Sequence, residues 1–175
     1  TRLANRTRLN QYLDDGIVSN RAHARPMAAL LIDVDNFKDI NDRLGHEAGD
    51  RVLKGVAAQL MSDPFEGQLA ARLGGDEFVL VLESETLLAD LPGTLDLLLG
   101  KLRFEVGREG ETMSVSATIG AAWLTDSNDD RTALLRCADH ALYQAKRAER
   151  GTAAICPDAI AGERVRATPH LRVVG

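Results

Sequence analysis

The chain has 175 residues, of which 45% are hydrophobic and 27% charged, the make-up of one globular domain with a real core. A formal charge of −5 argues against general affinity for nucleic acid or an anionic membrane, so an anionic substrate needs a local basic or metal-filled site. No apolar run approaches the ~18 residues of a membrane span, and no signal peptide is legible. The chain opens at Thr1 without a methionine and reads as a piece of a longer protein.

Residues 5–15 place Leu9, Tyr12 and Leu13 on one side of an amphipathic helix. Arg25-Pro26 marks a boundary, since the residue before proline avoids helical geometry. Met27 to Ile32 is a continuous apolar run, short enough to be a buried central strand. It leads into Asp33-Val34-Asp35-Asn36-Phe37-Lys38. An acid at the end of a central strand, followed by a helix start, suits metal and phosphate binding, because the helix N-terminus offers free N–H groups and a favourable dipole. The alternative is that Asp35 or Asn36 only caps the helix.

The polar stretch Asn41 to Asp50, with Gly45 and Gly49, reads as a short helix, a turn and a second helix carrying Leu53, Val56, Ala57 and Leu60 at helical spacing. Asn41 and Asp50 could together read a purine such as guanine, the aspartate accepting from N1–H and the 2-amino group and the asparagine both donating and accepting; capping and turn formation are the alternative. Ser62 to Gly67 is a loop interrupted by Pro64. Then come two strands, 69–72 and 78–82, joined by Gly74-Gly75-Asp76-Glu77, a hairpin whose turn carries two carboxylates. Glycines let a ligand approach bare backbone. Paired acids there suit a hard cation such as magnesium, which takes oxygen ligands and is shared with substrate phosphates.

Thr86 to Phe104 is helical in pattern, in one or two pieces because of Pro92-Gly93. Gly107 to Glu111 is a turn, and Met113 to Trp123 alternates as one strand with one buried face. Ser127 to Asp130 is a turn and cap, and Arg131 to Arg150 the clearest helix, with Leu134, Leu135, Ala138, Leu142 and Ala145 facing inward. Lys146 and Arg150 lie four apart near its end, where they complement the helix dipole or reach phosphates. Gly151 ends the helix, Thr152 to Cys156 is a short edge strand, and Pro157 to Gly175 is an unpatterned linker or poorly ordered tail. Cys137 and Cys156 lack metal-ligand spacing; Cys137 reads as a small buried residue and the pair as reduced cysteines of a cytoplasmic protein. The class is α/β, with a mixed central sheet flanked by helices. No Gly-x-Gly-x-x-Gly follows the first strand, which argues against a dinucleotide fold.

Taken together, Asp33-x-Asp35-x-Phe37-Lys38-x-x-Asn41-Asp42-x-x-Gly45-His46-x-x-Gly49-Asp50, then Arg72-x-Gly74-Gly75-Asp76-Glu77-Phe78, then Ala138-Asp139-x-Ala141-Leu142-Tyr143-x-Ala145-Lys146 resemble the GGDEF family of diguanylate cyclases. Thr1 to Arg6 is similar to the end of that family's opening motif. The resemblance covers residues 1 to about 151 and implies a domain over 1–156, with 157–175 as tail. It implies a palm-like fold shared with nucleotide cyclases and polymerases. It also implies the condensation of two GTP into cyclic di-GMP and two pyrophosphates across a dimer of domains, with an upstream sensory domain in the full protein and a cytoplasmic setting.

By the same resemblance, Asp33, the Val34 carbonyl, Asp76 and Glu77 hold magnesium or manganese, Glu77 alternatively taking the hydroxyl proton. Asn36, Phe37 and Lys38 cradle phosphates through backbone N–H groups, and Lys38 also stabilises transition-state charge. Asn41 and Asp50 read guanine with His46 nearby, Gly75 lets backbone lie close to the nucleotide, and Lys146 and Arg150 reach the terminal phosphates. Two departures stand out. Arg150-Gly151-Thr152-Ala153 replaces the family's usual Gly-Arg-Asn-Arg, and Phe65-Glu66-Gly67-Gln68 occupies the place of its product-binding Arg-x-x-Asp. An inactive GTP-binding module, beside a cyclic di-GMP phosphodiesterase domain, is the rival reading. A purely structural interaction domain leaves the recurring acids, glycines and bases unexplained.

Overall fold

The structure is a computed structural model that describes residues 1–157 apart from Ala24, Glu109, Ser127 and Asn128. Its elements run α1 (Arg6–His23), β1 (Ala28–Val34), α2 (Phe37–Leu44), α3 (His46–Leu60), β2 (Leu69–Gly74), β3 (Glu77–Leu82), α4 (Glu85–Ala89), α5 (Leu91–Lys101), β4 (Phe104–Arg108), β5 (Glu111–Val115), β6 (Ala117–Trp123), α6 (Arg131–Ala148) and β7 (Ala153–Ile155). The main sheet has the order β2-β3-β1-β6-β7. β1 pairs antiparallel with both β3 and β6, and only β7 is parallel to its neighbour. The sheet is therefore mixed, as the sequence predicts. Among the described residues no helix is long and apolar enough to cross a membrane.

Helices cover both faces of the sheet, and strand periodicity divides the core accordingly. Ala28, Leu30, Ile32 and Val34 of β1, with Phe78, Leu80 and Leu82 of β3, pack with α2, α3 and α5. Ala29 of β1, with Val79 and Val81 of β3, packs with α1 and α6. The same alternation assigns Asp33 and Glu77 to the α6 face, and this parity positions the site.

Several boundaries differ from the sequence reading for identifiable reasons. α1 continues through Asp14-Asp15-Gly16 to His23, because Leu9, Leu13 and Ile17 form one buried stripe and Gly16 leaves room for the Met27 methyl, which lies 2.3 Å from where a Cβ would stand. Pro92 does not interrupt a helix but begins one. α5 starts at Leu91 with proline in its first turn and the Asp90 carboxylate accepting from the Gly93 N–H at 3.0 Å, where proline's missing N–H is harmless. The expected helix to Phe104 ends at Lys101, and Phe104 opens the β4–β5 hairpin. The predicted strand 113–123 is two strands broken at Ser116. β6 is buried on both faces rather than one, its second face being Thr118, Gly120 and Ala122, small enough for α6 to sit almost on the backbone. α6 ends at Ala148, two residues before Arg150, and its cap is Asp130, which accepts from the Ala133 N–H at 2.8 Å.

The cysteine reading is overturned. Cys137 of α6 and Cys156, just after β7, are joined by a disulfide. The reversal at Gly151 (φ 73°) brings β7 alongside β6, which α6 covers, and so carries Cys156 back to the helix. Beyond Pro157 the expected tail lies outside the described residues.

Two predictions follow from this packing. A Cβ at Gly120 would lie 2.2 Å from the Ala138 carbonyl oxygen and 2.2 Å from the Leu142 nitrogen, backbone atoms that cannot step aside. Gly120→Ala is therefore expected to cost about 1–3 kcal/mol of stability, read as a lowered denaturation midpoint; an unchanged midpoint would contradict so close a helix–strand contact. The second concerns Tyr12, whose hydroxyl donates to Glu83 Oε2 at 2.5 Å, tying α1 to the end of β3. Burial first, then this hydrogen bond and the Glu83 charge, raise its pKa from 10.0 to about 12. Between those values only the unfolded chain loses the proton, so Tyr12 makes stability fall as pH rises through that window. Tyr12→Phe should flatten this part of the stability–pH profile.

Candidate active site

Asp33, near the end of β1, stands directly opposite Glu77 at the start of β3. The Val34 N–H donates to the Asp76 carbonyl at 3.2 Å, which draws the hairpin turn against the end of β1. The turn itself is Gly75-Asp76, with Gly75 at φ 53° and open space where its Cβ would be; glycine is needed there for backbone conformation, not for lack of room. Arg72 clamps the turn, its Nε and Nη2 donating to the Gly75 carbonyl at 3.1 and 2.7 Å. Like charges directly opposite each other in a sheet repel. Lys146 offsets this, its Nζ 2.8 Å from Asp33 Oδ2.

Asp35 is not a helix cap. Its side chain, 1% exposed, turns into the protein and accepts from Ser116 Oγ and Thr118 Oγ1, each at 2.7 Å. Its own N–H donates to the Ser116 carbonyl at 2.9 Å. Arg150 Nη1 lies 3.7 Å from Oδ1, and the Thr118 hydroxyl also accepts from the Gly151 N–H at 3.0 Å. One buried carboxylate thus joins β1, β6 and the turn after α6. Asn36 then occupies the N-cap position of α2 in left-handed geometry (φ 53°), without a side-chain cap bond, followed by exposed Lys38.

The remaining expected residues gather at the α2–α3 corner. Phe37 and Asn41, one turn apart on α2, both rest on Gly49. A Cβ there would meet Asn41 Oδ1 at 2.1 Å and the Phe37 ring at 3.2 Å. His46, the first residue of α3, and Asp50, next to Gly49, are exposed.

Three features escaped sequence reasoning. Arg72 and Asp35 act through contacts visible only in three dimensions. A cavity of about 410 Å³ beside Glu77 and Lys146 is walled by Arg136, Asp139, His140 and Tyr143 of α6; their i, i+3, i+4, i+7 spacing was the available signal. Among the described residues no three or more His, Cys, Asp or Glu side chains converge as a metal cage. The donor set is hard oxygen on adjoining strand ends, which fits magnesium shared with phosphates rather than a closed protein site.

Asp35→Ala would leave the Ser116 and Thr118 hydroxyls without their acceptor beside an emptied buried space. It is expected to lower unfolding free energy by about 2–4 kcal/mol, measured by denaturant titration; a loss within experimental scatter would contradict the anchoring role.

The sequence profile described as diguanylate cyclase, GGDEF domain, matches residues 1–152. The chain is 40% identical over 153 residues to diguanylate cyclase TpbB of Pseudomonas aeruginosa, a match covering 87% of this chain and 35% of that protein. The solved structure of the GGDEF domain of TpbB superposes with a TM-score of 0.81 at 39% identity, covering 88% of this chain and 90% of that one. Cyclic di-GMP phosphodiesterase PdeR of Escherichia coli is 37% identical over 153 residues, covering 86% of this chain and 22% of PdeR. The chain thus spans about a third or less of the length of these curated relatives. Over nearly all of its described residues, the chain belongs to the GGDEF domain family of diguanylate cyclases.

Proposed function

We propose that this domain, residues 1–156, condenses two GTP into cyclic di-GMP and two pyrophosphates, in a dimer whose domains each hold one GTP. The observation that carries the reading is the opposition of Asp33 and Glu77 on the α6 face, with Lys146 against Asp33 and the Gly75-Asp76 turn clamped by Arg72. Asp33, the Val34 carbonyl and Asp76, with Glu77 as a further candidate, would hold magnesium or manganese, which when bound neutralises phosphate charge and favours the attacking alkoxide. The domain's own groups do the rest. Backbone N–H groups of Asn36 to Lys38 bind phosphates at the start of α2, and the Lys38 ammonium meets charge developing at the transferred phosphorus. Asn41 and Asp50 select guanine, with His46 beside them. Lys146 and Arg150 take the terminal phosphates, exchanging the Asp33 and Asp35 carboxylates for substrate oxygens. Glu77 accepts the proton of the 3′-hydroxyl as its oxygen bonds to the α-phosphorus of the other GTP; the bond from that phosphorus to the β-phosphate bridge breaks, and pyrophosphate leaves.

In a longer protein the domain would follow a sensory segment and face the cytoplasm, where GTP is found. A second reading, a GTP-binding module without turnover, draws support from the likeness to PdeR, a phosphodiesterase by name. The retention of Asp33, Asp76 and Glu77 favours the cyclase.

Glu77→Gln keeps size and removes charge, so product formation should fall at least ~100-fold while GTP affinity by calorimetry stays within a few-fold. Near-normal turnover would remove Glu77 from the chemical step. A second expectation concerns product. Phe65 is fully buried, and Gln68 Oε1 accepts from the N–H groups of Glu83 and Ser84 at 2.7 and 3.3 Å, so both ends of the 65–68 loop serve the fold and neither offers a guanidinium to phosphate. Lacking a charged, bidentate phosphate contact worth ~2–5 kcal/mol, this loop should not bind cyclic di-GMP at micromolar concentration. Micromolar binding lost on changing Glu66 and Gly67, the two exposed positions of the loop, would contradict this.

A further inference from the structure

The two cations nearest the acids lie inside the loop that the disulfide closes. Cys137 sits in the second turn of α6 and Cys156 just past β7, 19 positions apart, with Lys146, Arg150 and the reversing Gly151 between them. Among the described residues β7 is a three-residue edge strand with β6 as its one sheet neighbour. Its packing is short but real, with Ala154 buried and Ala153 and Ile155 resting against the core. Its parallel pairing with β6 runs over three residues and is closed at its ends by the Thr152 carbonyl accepting from the Ile119 N–H at 2.9 Å and the Cys156 N–H donating to the Ala121 carbonyl at 2.8 Å. The turn before it is held by the Gly151 N–H on Thr118 and by Arg103 Nη2 on the Gly151 carbonyl at 2.9 Å. Short edge strands open locally at little free-energy cost. The Arg150 side chain is 54% exposed and reaches Asp35 only at 3.7 Å, so its position is set by the backbone of this turn rather than by packing.

We propose that Cys137–Cys156 is a redox-sensitive positioning pair: the bridge holds Arg150, and through the end of α6 Lys146, toward Asp35 and Asp33, and its reduction loosens them, weakening affinity for a nucleotide's polyphosphate without disturbing base recognition. The candidate guanine readers, Asn41 and Asp50, lie on α2 and α3, outside the closed loop and among elements that pack on the other face of the sheet. The choice of ligand rests on the GTP reading; the loosening does not. Both cysteines are buried, at 8% and 2% exposure, so exchange proceeds through opening of β7. A thiolate of a dithiol reductant attacks one bridge sulfur, the S–S bond breaks, and the other cysteine leaves as a thiolate and takes a proton. The reductant's second thiolate then attacks the mixed disulfide, releasing the first cysteine; the dithiol ends as a cyclic disulfide and two electrons have passed to the protein. Reoxidation by a disulfide such as oxidised glutathione reverses the balance.

The test uses the oxidised and dithiol-reduced chain, with thiols counted after denaturation, and calorimetry with magnesium and a GTP analogue bearing a methylene between the α- and β-phosphorus. Reduction should raise the analogue's Kd roughly three- to tenfold, up to one charge-assisted contact's worth, and leave that of GMP, which lacks the β- and γ-phosphates, within twofold. The double variant Cys137→Ala, Cys156→Ala should sit at the reduced value and ignore reductant. Amide exchange across residues 149–156 should quicken on reduction. Two free thiols after incubation with oxidised glutathione, equal analogue affinity in both states, or parallel weakening of analogue and GMP would each overturn the proposal. If the chain binds no guanine nucleotide in either state, the GTP reading fails by itself, and the exchange measurement decides the bridge: unchanged protection of 149–156 overturns it.

Discussion

Asp35 is a carboxylate taken almost entirely out of water, and the geometry of the site depends on how that charge is satisfied. Desolvating a carboxylate costs several kcal/mol unless donors replace the lost water. Here the hydroxyls of Ser116 and Thr118 do so, with the Arg150 guanidinium nearby at 3.7 Å, and the Thr118 hydroxyl passes the connection on to the Gly151 N–H. The end of β1 is thereby fixed against β6 and the turn after α6. Two residues earlier on the same face, Asp33 inherits that fixed position. The backbone of Asp33 is itself paired on both sides, with Glu77 of β3 and Thr118 of β6.

The same arrangement sets a charge problem whose solution is the proposed chemistry. Asp33 and Glu77 face each other across two strands, with Asp76 in the adjoining turn. Carboxylates at that spacing repel, and more strongly as water is excluded. One ammonium, that of Lys146, stands against Asp33. A divalent cation arriving with a polyphosphate brings positive charge to the acids and negative charge to Lys146 and Arg150 together, so substrate and metal complement the site better jointly than singly. On this account Lys146 has two partners, one in each state of the site.

What was legible in the sequence was what lies at the ends of elements. Asp33 after an apolar run, the Gly-Gly-Asp-Glu turn, and Lys146 near a helix end each carry a local signal, and the mixed sheet follows from the element order. The anchor was not legible. Ser116 and Thr118 look like ordinary strand residues, and a hydroxyl's partner is decided by which strand pairs with which. β6 was misread for a related reason: Thr118, Gly120 and Ala122 are small because α6 nearly touches the backbone, yet small residues alternate with apolar ones just as solvent-facing residues do. The break at Ser116 and the β4–β5 hairpin were hidden because alternation continues across both. The pairing of Cys137 with Cys156 depends on the reversal at Gly151, and no spacing rule encodes it. α1 was cut short because Asp14-Asp15-Gly16 reads as a stop, whereas Gly16 is there to admit Met27.

The central claim is that this domain joins two GTP across a pair of domains. The most direct test is incubation with GTP and magnesium over a range of protein concentrations, with cyclic di-GMP and pyrophosphate measured by mass spectrometry and phosphate assay. The account predicts one cyclic di-GMP for each two pyrophosphates, at a rate rising faster than first order in protein. Tight GTP binding with no cyclic dinucleotide at any protein concentration would contradict it.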